Sequence, residues 1–228
     1  MPECMSIERR NLLKAYGAEI VLTPAWDGMK GAIDKSVELW KEIKWAFLPQ
    51  QFENTVKPMA HYKTTGQEIW EKTGWNVDVF IASVGNGWTI SVIWKFLKEK
   101  NKDIKIIAVE PKDSAVLSGG KKWPHKIQGI GAGFIPKILN TKIYDEIFQV
   151  SDEDALETAR LLAKEEGLFC GISSGANVYA ALEIAKRAEN KGKCVVVILC
   201  DTGERYLSTT LFNQEKDAIW FKNSKYFK

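Results

Sequence analysis

The sequence predicts an α/β protein with a mainly parallel sheet flanked by helices, and three observations carry that expectation. The runs "VDVFIASV" (77–84) and "KCVVVILC" (193–200) are of strand length and solidly apolar, as strands buried on both faces are. Amphipathic helical patterns separate the strand-like runs, which suits crossovers between parallel strands. Loops rich in Gly and Ser lie between apolar runs and the helices that follow them.

Taken in order, the chain opens with a helix: Ser6 can cap it, Glu8 lies in its first turn, Leu12, Leu13 and Tyr16 form an apolar stripe, and Gly17 offers a left-handed stop. "AEIVLTP" (18–24) reads as a strand, 31–44 as a helix, 46–48 as a short strand, and the segment through "TTGQEIWEK" as a helix ending near Lys72. Strand 77–84, a helix through "TISVIWKFLKEK" and strand "IKIIAVE" follow. After a Gly-rich stretch, Ser151 and Asp154 form a capping-box pattern for a helix running to Gly167. A last helix through "SSGANVYAALEIAKRA" leads to strand 193–200. The expected division is a smaller N-terminal part (1–55), a larger part (56–212) and a basic, aromatic tail (213–228).

Composition narrows the function. The chain of 228 residues is 45% hydrophobic, enough for a substantial core. Its 32 Lys plus Arg and 29 Asp plus Glu are interspersed, which disfavours nucleic acid and anionic membrane and favours a small-molecule ligand. The apolar run Cys194 to Cys200 is far too short to span a bilayer, and no leader pattern opens the chain, so a soluble cytoplasmic location is expected. Cys4, Cys170, Cys194 and Cys200 have no C-x-x-C spacing and read as buried free thiols. His61 and His125 are the only histidines and neither sits in a Cys/His cluster, so no metal site is expected. Of nine tryptophans, Trp26, Trp75, Trp88 and Trp123 stand where turns are expected.

Three loops could carry chemistry. Gly85-Asn86-Gly87-Trp88-Thr89 joins a buried strand to a helix, where backbone N–H groups and the helix dipole bind phosphate. A dinucleotide site is one reading, with Glu110 as the ribose-binding acid, but Ile90 stands where G-x-G-x-x-G needs its third glycine; a plain tight turn is the alternative. Gly171-Ile172-Ser173-Ser174-Gly175 matches the G-x-S-x-G nucleophile elbow, yet no histidine follows it to serve Ser173 as a base. "QGIGAGFIP" (128–136) packs three glycines together, either as a surface loop or as backbone that must approach a ligand.

In order, "MPECMSIERRNLLKAYGAEIVLT", "QQFEN", "HYKTTGQEIW", "VDVFIASVGNGWT", "LSGG", "PHKIQGIGAGFIP", "EEGLFCGISSGAN" and "GERYLST" resemble the cysteine synthase (O-acetylserine sulfhydrylase) family of fold-type II pyridoxal-phosphate enzymes, over nearly the whole chain to about Phe212. Cystathionine β-synthase and cyanoalanine synthase share much of the pattern, and "GISSGA" tilts the reading toward cysteine synthase. The resemblance implies a tryptophan synthase β-like fold and pyridoxal 5'-phosphate as cofactor. Residues Gly85, Asn86, Gly87, Trp88 and Thr89 would hold its phosphate, and Ser173 would hydrogen-bond the pyridine nitrogen. Gln50 or Gln51 would lie near the substrate carboxylate and Gly131 in a loop closing over the substrate amine. The implied reaction is β-replacement, in which acetate leaves O-acetylserine and sulfide adds to give cysteine; a homodimer and association with serine acetyltransferase are the implied partners.

Departures from the pattern are part of the expectation. The family's Schiff-base lysine and its "TSGNTG"-like carboxylate loop lie upstream of the matched motifs and have no counterpart in the sequence, so no catalytic residue is assigned and a fragment or half of a split enzyme is expected. Asn86 replaces a threonine, Trp88 a glycine, and Val92 and Trp94 stand where the next helix has glycines. An indole where backbone meets phosphate is an overpacking problem, which predicts weak or no cofactor binding. The alternative is a non-catalytic homologue acting as a subunit or binding partner.

Overall fold

The computed structural model describes residues 1–52 and 57–213, apart from the side chains of 57–59 and 88–90. Its centre is a four-stranded, wholly parallel sheet of β1 (Val79–Ser83), β2 (Lys105–Pro111), β3 (Glu146–Val150) and β4 (Val195–Val197), in the order β3-β2-β1-β4. β1 pairs in register with β2 from Val79 opposite Lys105 to Ser83 opposite Val109, and with β4 from Val79 opposite Val195 to Ile81 opposite Val197. Strand geometry alternates side chains between faces, so the central strands supply two separate cores.

On one face, Val79, Ile81, Ile107 and Val109 pack with Ala176, Ala180 and Ile184 of α7 (Ile172–Ala185) and Ala155 and Ala159 of α6 (Asp152–Glu165). On the other, Phe80, Ala82, Ile106 and Ala108 pack with Ile93 and Leu97 of α5 (Trp88–Lys100). Trp94 lies against this second cluster, and Gly66 of α4 (Thr65–Lys72) is buried where a Cβ would stand 3.0 Å from the Phe96 ring. Glycine there lets α4 lie directly on α5. Ser151 caps α6 as its pattern predicts, its hydroxyl accepting from the Asp154 N–H at 3.1 Å.

Several elements differ from expectation. Residues 18–24 form no strand; Thr23 makes a single bridge to Pro2, supported by Glu3 N–H to Thr23 O at 2.9 Å and Thr23 N–H to Met1 O at 3.0 Å. An apolar run becomes a strand only when a ladder partner of similar length is beside it, and here the pairing stops at one bridge. Residues 46–48 are irregular, the helix expected to end at Lys72 is broken into α3 (Lys57–Lys63) and α4, and α2 begins early, spanning Gly28–Glu42. β3 lacks a continuous apolar run because Glu146 and Gln149 stay partly or fully exposed at the sheet edge. β4 is half-buried rather than covered on both faces, since it is the other edge. Ser6 is the N-cap residue of α1 (Ile7–Ala15), but its buried hydroxyl makes no bond.

Candidate functional site

The strand order reverses beside β1: the chain passes from β1 through α5 to β2 on one side and returns through α6 and α7 to β4 on the other. In an open parallel sheet this switch point leaves a crevice beyond the carboxyl ends of the strands, because the two flanking connections diverge to opposite faces. The loops that leave β1 and β4 and the start of α7 all lie at that end.

Gly87 is the N-cap of α5, with φ of 83°, a left-handed conformation that L side chains adopt rarely. A Cβ at this position would also stand 2.9 Å from Leu139 Cβ. The following residues are helical, so the first backbone N–H groups of α5 have no carbonyl within the helix to bond, and with the helix dipole they favour an anion. At Gly85 a Cβ would collide with Gly129 O, so the turn is pressed directly against the 128–136 loop. That loop is pinned in turn by Gly131 N–H donating to Val84 O at 3.1 Å and by a contact of 3.0 Å between His125 Nε2 and Gly131 O. A Cβ built on Gly129 has the Ser173 hydroxyl as its neighbour, at 4.0 Å. Three loops far apart in sequence thus meet, with Gly129 between the Gly85 turn and Ser173.

Ser173 is 3% exposed and stands in the first turn of α7. Its surroundings are polar. Ser174 Oγ accepts from Cys200 N–H at 2.8 Å, and Asn177, fully buried, donates from Nδ2 to Ile198 O at 2.8 Å. These bonds tie α7 to the residues leaving β4. Gln50 and Gln51 lie in an exposed turn, with Gln50 at φ of 49°. Phe52 packs edge-on against Phe134, ring centroids 5.3 Å apart, which brings that turn to the 128–136 loop.

Two readings of the loops fall away on geometry. Glu110 is 2% exposed and its carboxylate accepts from Leu117 N–H at 2.8 Å and Ser118 N–H at 3.2 Å, so it organises the chain after β2 instead of facing a ribose. Neither histidine bonds Ser173: His125 Nε2 contacts Gly131 O and His61 Nδ1 contacts the Thr65 hydroxyl, each at 3.0 Å, which removes the nucleophile-elbow reading. The Trp88 indole lies outside the described residues.

Sequence reasoning missed Cys200. The expectation of four buried thiols holds for Cys170 alone; Cys4 and Cys200 are exposed and Cys194 is intermediate. Cys200 sits against Ser83 (Oγ to Sγ 3.9 Å) and Asn177 (Nδ2 to Sγ 3.4 Å). Desolvation pushes its thiol above the usual cysteine range, although the residue remains exposed. Its place just past a sheet strand was a usable signal. The next residue, Asp201, accepts from Arg9 of α1 at 2.6 Å and from the Tyr206 hydroxyl at 2.8 Å, and burial followed by the Asp201 charge raises the Tyr206 pKa. No group of three or more potential metal ligands occurs among the described residues, and no helix among them is long and apolar enough to cross a membrane.

The sequence profile of the pyridoxal-phosphate dependent enzyme family matches residues 1–201. A cysteine synthase of Staphylococcus aureus is 56% identical over 214 residues, covering 93% of this chain and 68% of that protein. The crystal structure of cysteine synthase from Entamoeba histolytica superposes with a TM-score of 0.86 at 47% identity, over 93% of this chain and 63% of that one. An O-acetylserine dependent cystathionine beta-synthase from Helicobacter pylori gives 0.88 at 40% identity, over 93% and 69% of the respective chains. The chain therefore spans about two thirds of the length of these relatives. With its parallel sheet, its glycine turn at the head of α5 and its profile match over most of its length, the chain belongs to the pyridoxal-phosphate dependent enzyme family, among the relatives of cysteine synthase.

Proposed function

We propose that this chain carries the cofactor side of a cysteine synthase site, serving β-replacement of O-acetylserine by sulfide. The observation that supports this most is the meeting of the Gly85–Gly87 turn, the Gly129–Gly131 loop and Ser173 at the switch point of the sheet. These residues fit pyridoxal phosphate. The turn offers N–H groups at a helix start, and Ser173 offers a buried neutral hydroxyl across Gly129.

When bound, the cofactor would supply an electron sink for loss of the β-substituent. Gly85, Asn86, Gly87, Trp88 and Thr89 would hold its phosphate, through the backbone and the Thr89 hydroxyl. Ser173 would donate to the pyridine nitrogen, and a neutral donor leaves the ring a moderate electron sink, suited to elimination at the β-carbon. Gln50 or Gln51 would address the substrate carboxylate, and the Gly131 loop would close over the amine. The lysine that moves the α-proton belongs to a motif that the matched segments do not include, so no residue here is assigned that role.

In the same reading, residues 1–55 belong to a smaller lobe, 56–212 form the cofactor lobe and 213–228 are a tail. Homodimerisation, a cytoplasmic location and association with serine acetyltransferase are inferred from the family. The second reading, a non-catalytic binding partner, is favoured by Trp88 in the phosphate turn.

Titrating the protein with pyridoxal phosphate and following tryptophan fluorescence tests the assignment. Saturable quenching that inorganic phosphate competes and that pyridoxal without its phosphate reproduces only weakly is expected. No saturable quenching in either the parent protein or the Trp88→Gly variant would refute it. Replacing Trp88 by Gly should tighten binding about five- to 150-fold, the size of a relieved overpacking of about 1–3 kcal/mol.

A further inference from the structure

Two consecutive residues beyond β4 bond on either side of Ser173. Cys200 N–H donates to Ser174 Oγ at 2.8 Å, and Asp201 O accepts from Gly171 N–H at 3.0 Å. The seam continues as an antiparallel bridge between Cys170 and Thr202 and as Gly203 N–H to Phe169 O at 3.0 Å. Residues 200–203 therefore run as a strip along the head of α7, and the position of Ser173 follows that of the strip. The seam has no slack, since a Cβ on Gly171 would collide with Asp201 Oδ1 and stand 2.6 Å from the Tyr206 ring.

The strip is anchored from the other end of the chain. Arg9 of α1 donates from Nη2 to Asp201 Oδ2 and to the Tyr206 hydroxyl, both at 2.6 Å, and that hydroxyl donates to the same Oδ2 at 2.8 Å. Tyr206 is fully buried, and the Arg9 guanidinium stands 5.3 Å from the centre of its ring. Asp201 Oδ1 is buried and makes no bond, so Arg9 and Tyr206 on Oδ2 are the anchors of that side chain. α1 buries no residue, so its hold on this region is polar. Its other tie is Glu8, whose carboxylate accepts from the N–H and, at 2.8 Å, the hydroxyl of Ser208. Of the two ties, the one at Arg9 meets the residue whose backbone touches α7.

We propose that Arg9 is a positioning residue for the cofactor site: by holding Asp201 it fixes the 200–203 strip on the head of α7 and so sets where the Ser173 hydroxyl meets the ring. This inference rests on the cofactor assignment above.

Hydrogen exchange and cofactor titration of the full chain test it together. In Arg9→Ala, amides of 171–175 should exchange about tenfold faster or more, the scale of a hydrogen bond to a charged group, while those of 155–159 in α6 change less. The same variant should bind pyridoxal phosphate about fivefold more weakly, the loss of one neutral hydrogen bond, and shift the absorption of the bound chromophore. Arg9→Lys, which keeps a donor for Asp201, should return both toward the parent. Glu8→Ala loosens α1 at Ser208 alone and should leave affinity and spectrum at their parent values. Should Arg9→Ala fail to fold, Asp201→Asn, which weakens the same anchor and keeps its shape, takes its place. Unchanged exchange at 171–175, or parent affinity and spectrum in Arg9→Ala, overturns the positioning role and leaves the cofactor assignment standing. An equal loss in Glu8→Ala also overturns it, because any loosening of α1 would then suffice. Absence of saturable binding in both the parent and the Trp88→Gly variant overturns it together with the cofactor assignment.

Discussion

Phe80 and Trp45 are both large aromatic side chains, yet Phe80 is 0% exposed and Trp45 is 96% exposed. They represent two regions of the molecule. In the sheet, each central strand has a helix layer on both faces, and alternate side chains fill two separate cores. In residues 1–52, α1 and α2 bury no residue, and Trp26, Trp40, Ile43, Trp45 and Phe47 are exposed. Apolar content alone therefore does not decide burial; a facing layer does, because area leaves water only when something covers it. The site belongs to the first region and meets the second through Phe52 and Arg9.

The sharpest break of this contrast is a pair of truncations. Phe80→Ala should cost about 3–5 kcal/mol in urea unfolding, whereas Trp45→Ala should change stability by less than about 0.5 kcal/mol. Equal effects would mean that the two regions are packed alike. Next is Arg9→Ala, which removes the guanidinium that bridges Asp201 and the Tyr206 hydroxyl, both at 2.6 Å. Loss of about 1.5–3 kcal/mol is expected for hydrogen bonds to a charged group, with faster proteolysis within α1. If α1 stays protected, Arg9 is not what joins the regions.

A smaller effect concerns Trp75, which is 67% exposed and holds a φ of 63°. Replacing it by Gly should stabilise the protein by up to about 1 kcal/mol, since a non-glycine residue in that conformation costs about 1–2 kcal/mol and glycine returns part of this as chain entropy. A lower melting temperature would show that the indole contributes packing that outweighs its strain.

The smallest is a pH effect at the sheet edge. Glu146 is held below its ordinary value of 4.5, first by the hydrogen bonds from Arg187, which donates from both nitrogens at 2.7 Å. A lowered pKa in the folded state means that the unfolded chain takes up the proton first, so the contribution is full above 4.5 and is lost as pH falls through the lower folded value. The Glu146 side chain is 37% exposed and screened, so the size is under about 1 kcal/mol. Glu146→Gln should be less stable than the parent at neutral pH and converge with it in acid. A constant difference across that range would locate the effect elsewhere.

The sheet's centre was readable in the sequence because β1 and β2 are buried on both faces, and a solidly apolar run of strand length demands cover on both sides. The edges were harder. β3 carries Glu146 and Gln149 on its open side, which breaks the apolar signal, and residues 18–24 have strand-like composition without a ladder to join. At the candidate site, Gly85 and Gly87 were legible as glycines because a Cβ at either would collide with a neighbour. The exposure of Cys200 was not, because a thiol that follows an apolar run reads as core, and its place just past an edge strand is a weak signal on its own. Glu110 misled for the opposite reason: its place suited a ribose, but two backbone N–H groups of its own loop take its carboxylate.

The proposed function stands or falls on whether the head of α5 is a phosphate cradle facing Ser173. A crystal structure of the protein grown with pyridoxal phosphate decides this. Phosphate is expected on the backbone N–H groups from Gly85 to Thr89 and the ring nitrogen at Ser173. Cofactor bound elsewhere, or phosphate bound with the ring turned away from Ser173, would contradict it.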